Sequence, residues 1–429
     1  MLMKKSKWLA LAGVSLLSVG VLVACSSKSN TSSNTYNYVY TADPETLDYL
    51  ISNKGSTTDA VTNGVDGLLE NDKYGNLVPS IAKDWTVSAD GLTYTYKLRK
   101  GVKWYTSDGE EYAEVTAKDF VTGLKHAADT NSEAIYLLQN SVKGLNDYLS
   151  GANKDFSNVG IKAVDDYTLQ YTLSQPEPYW NSKLTYSVTW PVNEDFLKSK
   201  GKDFGKSTDP TSILYNGPYL LKSLTTKSSI EFTKNENYWD KDNVYFDTVK
   251  LTYDDGTDQE SLERNFTDGV YNLARLYPTS SNYSKVEKQY KDNIFYTQPG
   301  AAVEGVGVNI DRQTYDHTSK ENDQQKTSTK TALLNKDFRQ ALGFAIDRTN
   351  YAAQLNGKEG GSTAVRNIYV KPDFVQADGK DFGTMVMDQL PAYGDEWSGV
   401  NLADSQDGLY NPEKAKAEFA KAKEALQAE

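Results

Sequence analysis

The sequence has 429 residues, a formal net charge of −12 and a single cysteine. This acidity argues against a nucleic-acid partner, because proteins that bind nucleic acids present basic surfaces. One cysteine excludes a disulfide within the chain, and the length exceeds what a single hydrophobic core usually serves, so two or three domains are expected.

The chain begins with the pattern of a secretory signal. Three lysines precede an uncharged apolar run at residues 8–24, which is shorter than the roughly 20 apolar residues that span a bilayer comfortably. Leu22, Val23 and Ala24 followed by Cys25 resemble the bacterial lipobox, in which the cysteine is lipidated and becomes the mature N-terminus. We therefore expect a signal peptide at residues 1–24 and a lipid anchor on Cys25. The alternative is an ordinary signal with an unrelated cysteine.

Residues 25–35 follow as a tether. From Ser26 to Thr35 the sequence contains only Ser, Lys, Asn and Thr, which offer nothing to bury and predict a flexible segment. The tether and the anchor together predict a protein held at the extracellular face of the cell membrane.

Alternating patterns predict a β-rich, mixed α/β body. Leu92, Tyr94, Tyr96 and Leu98 alternate with polar residues, which is the period of a strand with one buried face, and the same period recurs at residues 167–173. Further strands are predicted at residues 36–39, 219–221, 230–232 and 249–253. Aromatic residues at strand spacing usually belong to a core, so Trp85, Tyr94, Tyr96 and Trp104 are interpreted as structural.

Three helices are predicted, each with one apolar face. A capping box at residues 116–119 opens the first, and Asn411 followed by Pro412 opens the last. The residues expected on the buried faces are Phe120, Leu124 and Ala127 in the first helix, Phe338, Ala341, Leu342 and Ala345 in the second, and Ala415, Phe419, Ala422 and Leu426 in the last.

The sequence gives little sign of catalysis. Its two histidines, His126 and His317, are far apart and neither has the spacing of a metal site. No Gly-x-Ser-x-Gly nucleophile elbow is present, and the acidic run at residues 254–258 lacks the EF-hand pattern, so an acidic turn is the better interpretation. We expect no enzyme activity, no cofactor and no metal.

Three blocks of sequence carry a family resemblance. They are residues 81–120, with Asp90–Trp104 at their centre; residues 216–240, which open with Asn216-Gly217-Pro218; and residues 338–348. In this order and spacing they resemble the family 5 extracellular solute-binding proteins that feed oligopeptide ABC importers. The sequence is most similar to the oligopeptide-binding lipoproteins of streptococci and lactococci, which implies a Gram-positive source.

The resemblance implies a two-lobed fold like that of periplasmic binding proteins, of the large peptide-binding type with three domains. Carried onto this chain, a split domain I takes residues 36–65 and 188–272, and an inserted domain II takes residues 66–187. Domain III then takes residues 273–429 and is expected to be incomplete. Relatives continue further, and their tail carries an acidic residue for the N-terminus of the peptide that has no counterpart here.

Two segments are candidates for contact with a peptide. In the family, an extended segment after a Leu-Asp motif pairs with the main chain of the peptide, and it maps to Asn53, Lys54, Gly55 and Ser56. Main-chain pairing suits a binder that ignores side-chain identity; the alternative is an ordinary polar loop.

The second candidate segment is Arg275, Leu276 and Tyr277, at the expected crossing between the lobes. Arginine and tyrosine are frequent contact residues. The alternative is a hinge strand packed into the core.

The function that this sequence favours is capture of oligopeptides by lobe closure and delivery to the permease subunits of an ABC importer. A monomer tethered by its lipid is expected. Three alternatives stay open: a binder of another solute on the same fold, a receptor for a peptide signal, and a lipoprotein hydrolase. A metal is a less attractive solute because the chain has only two histidines.

Overall fold

The computed structural model describes residues 34–295, 303–372 and 374–427. These residues form two compact units. Unit 1 contains the described residues up to Asp258 together with Asp268–Leu273, and unit 2 contains Gln259–Thr267 together with the described residues from Ala274 onward. The predicted signal peptide, Cys25 and residues 26–33 of the predicted tether lie outside the described residues.

The strands are short and most of them lie in unit 1. In chain order they are β1 (Thr35–Tyr40), β2 (Leu69–Asn71), β3 (Leu77–Pro79), β4 (Ala82–Val87), β5 (Thr93–Leu98), β6 (Lys103–Tyr105), β7 (Glu111–Glu114), β8 (Ile161–Asp165), β9 (Thr168–Thr172), β10 (Tyr219–Thr225), β11 (Ser229–Lys234), β12 (Thr248–Tyr253), β13 (Gln376–Ala377) and β14 (Lys380–Asp381).

The helices are divided between the two units. They are α1 (Gly55–Val61), α2 (Ala117–Asp129), α3 (Leu145–Leu149), α4 (Trp180–Lys183), α5 (Glu194–Lys200), α6 (Ser261–Thr267), α7 (Tyr283–Gln289), α8 (Asp323–Leu334), α9 (Lys336–Ala345), α10 (Arg348–Thr363), α11 (Phe382–Gln389) and α12 (Pro412–Leu426). Short 3₁₀ turns lie between them.

Two four-stranded sheets organise unit 1. The first has the order β1-β12-β11-β10, with β1 parallel to β12 and the remaining pairs antiparallel. The second is antiparallel throughout and has the order β4-β5-β9-β8. The strands predicted from alternation are thereby confirmed. One boundary was wrong: Thr35, assigned to the tether, pairs with Thr248 in the first sheet.

The alternating aromatic residues form the core of the second sheet. Tyr96 and Tyr171 lie on neighbouring strands with ring centroids 6.3 Å apart, and Trp180 packs on Tyr171 at 5.1 Å. These three side chains are fully buried, as is Trp104. Period-two alternation places every second side chain on the same face, so one row of aromatic rings fills one side of the sheet. The core placement predicted for Tyr94, Tyr96 and Trp104 is confirmed, whereas Trp85 is half-buried and packs against the edge of the core.

Helix α2 forms as its sequence predicts. The Asp119 carboxylate accepts a hydrogen bond from the Thr116 backbone N–H at 2.9 Å, which satisfies one of the free donors at the helix start. Phe120, Leu124 and Ala127 are buried on one face. Gly123 permits close packing, because a Cβ there would lie 2.3 Å from the Trp190 carbonyl oxygen.

In unit 2, helices α9 and α12 pack together. Their buried residues include Ala341 and Phe344 on α9 and Ala415 and Ala422 on α12. Two of the predicted faces were partly wrong. Leu342 is 42 % exposed and Phe419 is 48 % exposed, and Ala345 is exposed as well. Successive residues of an α-helix are about 100° apart around its axis. Because Ala341 and Phe344 face the core, Leu342 and Ala345 lie on other sides of α9 and are exposed.

Candidate functional site

The turn that precedes the first candidate segment is fixed to the body of unit 1. The Leu47 backbone N–H donates to the Gly205 carbonyl at 2.7 Å, and the Tyr49 hydroxyl donates to the Pro191 carbonyl at 2.7 Å. Leu47 and Tyr49 are themselves buried. Residues 47–49 are therefore held in place by the body of unit 1, directly before the candidate segment.

His126 contacts Asp48 in this turn. Its Nε2 lies 2.7 Å from Asp48 Oδ2, and the other oxygen of Asp48 accepts the Leu50 backbone N–H at 3.1 Å. Asp48 is only 4 % exposed, and a buried carboxylate requires such partners. A structural role therefore accounts for one of the two histidines of the chain.

The first candidate segment is shorter than the resemblance implied. Lys54 is extended (φ −73°, ψ 134°), but Gly55 and Ser56 already form the first turn of α1. The Lys54 carbonyl accepts the N–H groups of Thr57 and Thr58, both at 3.1 Å, which closes that turn. The prediction that all four residues are extended was therefore wrong, because helix initiation at Lys54 overrides it.

Only part of this segment can bind a ligand through its main chain. The Asn53 N–H donates to Glu133 Oε2 at 3.1 Å, and the Lys54 N–H donates to the Ser52 hydroxyl at 3.2 Å. Asn53, Lys54 and Gly55 are nonetheless exposed, and Ser56 is half-buried. A ligand meets their side chains and the remaining backbone groups, so the assignment of a contact role to these residues stays a prediction.

The second candidate segment belongs to unit 2 and has no regular secondary structure. Arg275 is exposed, whereas Leu276 and Tyr277 are half-buried. The Arg275 guanidinium carbon lies 5.0 Å from the centre of the Tyr277 ring, within cation–π range. The segment is therefore neither a strand nor fully buried, and its contact role stays a prediction.

Sequence reasoning missed a buried polar cluster in unit 1. Asp66 Oδ2 accepts hydrogen bonds from the Tyr238 hydroxyl at 2.7 Å and from the Trp239 indole at 3.3 Å. Burial raises the pKa of Asp66 to about 7, although these two donors act in the opposite direction. The Arg99 guanidinium stacks over Trp239 at 4.1 Å. The signal available in the sequence was a lone acidic residue inside the run Gly64-Val65-Asp66-Gly67-Leu68.

Sequence reasoning also missed a polar cluster in unit 2, around Arg348 at the end of the third sequence block. The Asp407 carboxylate accepts two hydrogen bonds from the Arg348 guanidinium, one from Nε at 2.9 Å and one from a terminal nitrogen. It also accepts the backbone N–H of Arg348 at 2.6 Å. Arg348 also donates to Asn367 at 2.7 Å. Arg348 and Asp407 are far apart in the sequence, so no local pattern reveals this pair.

The residues that the structure describes contain no grouping of His, Cys, Asp and Glu suited to a metal ion. The acidic run is a turn, in which the Thr257 N–H donates to Asp255 at 3.0 Å and Gly256 has φ +72°. Across the same described ranges, no helix has the length and apolar character needed to cross a bilayer.

Comparison with known proteins identifies relatives along the whole chain. Residues 76–429 match the model of bacterial extracellular solute-binding proteins, family 5. The chain is 70 % identical to the oligopeptide-binding protein AmiA of Streptococcus pneumoniae and 64 % identical to SarA of Streptococcus gordonii. Both alignments cover all of this chain, which spans 65 % and 66 % of those two relatives. A dipeptide-binding protein of Lactococcus lactis is 31 % identical, with 98 % of this chain and 69 % of the relative covered.

Solved structures show the same fold. The peptide-bound OppA of Listeria monocytogenes matches with a TM-score of 0.63 at 25 % identity, covering 93 % of this chain and 70 % of that one. An oligopeptide ABC transporter substrate-binding domain from Bacillus anthracis matches with a TM-score of 0.61 at 23 % identity, covering 93 % and 68 %. The expected mixed α/β fold of the large peptide-binding type is confirmed. The chain belongs to the bacterial extracellular solute-binding proteins of family 5.

Proposed function

We propose that this protein captures oligopeptides outside the cell and delivers them to an ABC importer. The observation that carries the proposal is the 70 % identity, over the whole of this chain, to a protein named as an oligopeptide-binding protein. Membership of a solute-binding family supports a role in binding rather than in catalysis.

The two candidate segments are proposed to contact the peptide. Asn53, Lys54 and Gly55 are exposed and follow a turn that is hydrogen-bonded to the body of unit 1. Arg275 is exposed beside Tyr277. Tyrosine and arginine are enriched among residues that dominate binding energy. Ligand capture is proposed to proceed by closure of the lobes around the peptide, with contacts that stabilise the closed state.

Anchoring, partners and domain layout complete the proposal. The lipobox resemblance supports lipidation of Cys25 and attachment to the extracellular face of the membrane. The importer's permease subunits are the proposed partners of a monomer. The four strands of the first sheet lie within the proposed domain I, except that Thr35 precedes its first residue. The four strands of the second sheet lie within the proposed domain II.

Mass spectrometry of small molecules that acid releases from the natively purified chain tests the proposed ligand class. A mixture of peptides is the expected result, because a nutrient binder must accept many sequences. A single released peptide would favour the signalling alternative, and a different solute would contradict the proposal.

A matched pair of variants tests the contact role of Arg275. Arg275→Ala is expected to weaken peptide binding by about 10-fold, since a contact arginine contributes on the order of 1–2 kcal/mol. Arg312→Ala is the control, because Arg312 stacks on Tyr315 at a similar 5.1 Å but lies outside both candidate segments. Equal titration curves for the two variants would remove Arg275 from the site.

A further inference from the structure

The chain that follows α2 is directed toward the first candidate segment by the way this helix ends. Two residues after α2, Asn131 takes the left-handed conformation with φ +53°, which asparagine tolerates better than most residues. The Ser132 N–H donates to the Ala127 carbonyl at 2.9 Å. The Asn131 N–H donates to the Ala128 carbonyl at 3.2 Å, and the two bonds together form a Schellman motif. This motif fixes the position of the next residue, Glu133.

Glu133 binds the chain at the first candidate segment in two places. Its backbone N–H donates to the Ile51 carbonyl at 2.9 Å, and its carboxylate Oε2 accepts the Asn53 N–H at 3.1 Å. One residue therefore holds the main chain on both sides of Ser52. Hydrogen bonds to a charged acceptor are stronger than those between neutral groups.

The same helix also holds the turn that precedes the segment. His126, in the last turn of α2, lies 2.7 Å from Asp48, and these two side chains are 16 % and 6 % exposed. Contacts from residues 126–133 thus reach residues 48, 51 and 53. Residues 52–54 belong to no helix or strand, so side-chain and turn contacts, rather than a sheet ladder, determine their conformation.

The bond between Glu133 and Asn53 lies at the surface that a peptide would meet. Both residues are exposed, as are Lys54 and Gly55. Because the Asn53 N–H is donated to Glu133, the side chains of Asn53 and Lys54 are left to face a ligand. A loop that is already ordered loses less conformational entropy when it binds, and this raises its affinity.

We infer that Glu133 is a positioning residue of the proposed peptide site. It holds residues 51–53 in one conformation before the peptide arrives, so that Asn53 and Lys54 are presented in a fixed direction. This inference rests on the proposed function, because it assigns Glu133 a part in the capture of peptides.

Glu133→Ala and Glu133→Gln separate the hydrogen bond from the charge. Alanine removes the acceptor, whereas glutamine removes the charge and keeps an oxygen that accepts the Asn53 N–H. Hydrogen exchange of the whole chain, followed by mass spectrometry of fragments that cover residues 50–56, reports on this bond. We expect exchange there to be about 3-fold faster or more in Glu133→Ala and close to that of the parent in Glu133→Gln.

Titration with a peptide measures the consequence for binding. The probe is a synthetic copy of the most abundant peptide that acid releases from the parent protein. Its Kd should rise about 5-fold in Glu133→Ala and stay within about 2-fold of the parent in Glu133→Gln. Glu236→Ala, at another exposed position of unit 1, is the control for the loss of an acidic side chain and should bind like the parent.

Three results would overturn the inference. The first is parent-like exchange in Glu133→Ala, and the second is faster exchange with an unchanged Kd, because Glu133 would then hold the loop without serving capture. The third is a Glu133→Gln variant that behaves like Glu133→Ala, since the charge rather than the bond to Asn53 would be responsible. A parent that releases no peptide would contradict the proposed function instead, and exchange at residues 50–56 would then decide whether Glu133 positions the segment.

Discussion

Asp66 shows how one buried residue sets a pH dependence. The folded protein holds this carboxyl at a pKa near 7, against 3.8 for the free group. Its protonation is therefore favoured by folding, and the stability it contributes is complete below about pH 4 and lost as the pH rises to 7. Burial outweighs the two donors, and the nearby Glu70 carboxylate raises the pKa further. The Arg99 guanidinium in this cluster is stacked on Trp239.

Asp66→Asn should remove this dependence. The Asn amide oxygen can accept both the Tyr238 and Trp239 donors, and it carries no charge to bury. We expect the variant to match the parent near pH 4 and to exceed its free energy of unfolding by up to about 4 kcal/mol at pH 8. Urea titrations at both pH values measure this difference. Asp84→Asn, at an exposed position of β4, is the control and should show no such trend; a parallel trend in both variants would contradict the explanation.

Arg348 is a residue whose geometry matters more than its charge. Its guanidinium and backbone together hold Asp407, and this ties the start of α10 to the loop before α12. Lysine keeps the charge but cannot reproduce the planar fork. Arg348→Lys should therefore cost about 2–3 kcal/mol of unfolding free energy in thermal or urea denaturation.

Arg264→Lys provides the matched control for this change. Arg264 forms an exposed i,i+4 pair with Glu260 at 4.0 Å. Lysine keeps the charge of this helical pair, and such pairs contribute only about 0.3–0.5 kcal/mol, so the substitution should cost much less than Arg348→Lys. A loss at Arg348 as small as that at Arg264 would show that Arg348 acts through its charge alone.

At the scale of the helix, two glycines at mid-helix positions should respond in opposite ways to alanine. Alanine favours a helix by about 0.8–1 kcal/mol over glycine. In α2 the new Cβ of Gly123→Ala would meet the Trp190 carbonyl oxygen at 2.3 Å, so the overlap outweighs the propensity and the variant should be less stable. In α9 no atom of the described residues lies within 4 Å of a Cβ at Gly343. Gly343→Ala should therefore gain about 0.5–1 kcal/mol, and melting curves that place both variants on the same side of the parent would contradict this account.

These elements also show how far the sequence could lead. The alternation at residues 92–98 and 167–173 predicts strands well, because burial on one face fixes the period locally. The apolar residues of α9 allow two overlapping faces, and only its contact with α12 selects the one that contains Phe344. At residues 53–56 the resemblance supplied a position along the chain, but helix initiation at Lys54 decided the conformation. The Arg348–Asp407 pair depends on folding across 59 residues and leaves no local pattern.

For the whole molecule, net charge should shape how the proposed ligands arrive. The sequence carries 58 acidic and 46 basic side chains, which gives the formal charge of −12. A field of this sign attracts cationic ligands over distances comparable to the Debye length, about 10 Å at 0.1 M salt. Steering of this kind changes the association rate more than the contacts made in the final complex.

Two peptides of equal length, one with additional lysines and one with additional aspartates, can measure this effect by stopped-flow fluorescence. The association rate of the lysine peptide should fall several-fold between about 10 mM and 500 mM salt, while that of the aspartate peptide should rise or stay constant. Their dissociation rates should change little, because contacts within a desolvated site are screened weakly. Salt dependence confined to dissociation would instead assign the charge preference to residues in direct contact with the peptide. In that case the acidic surface would serve solubility rather than capture.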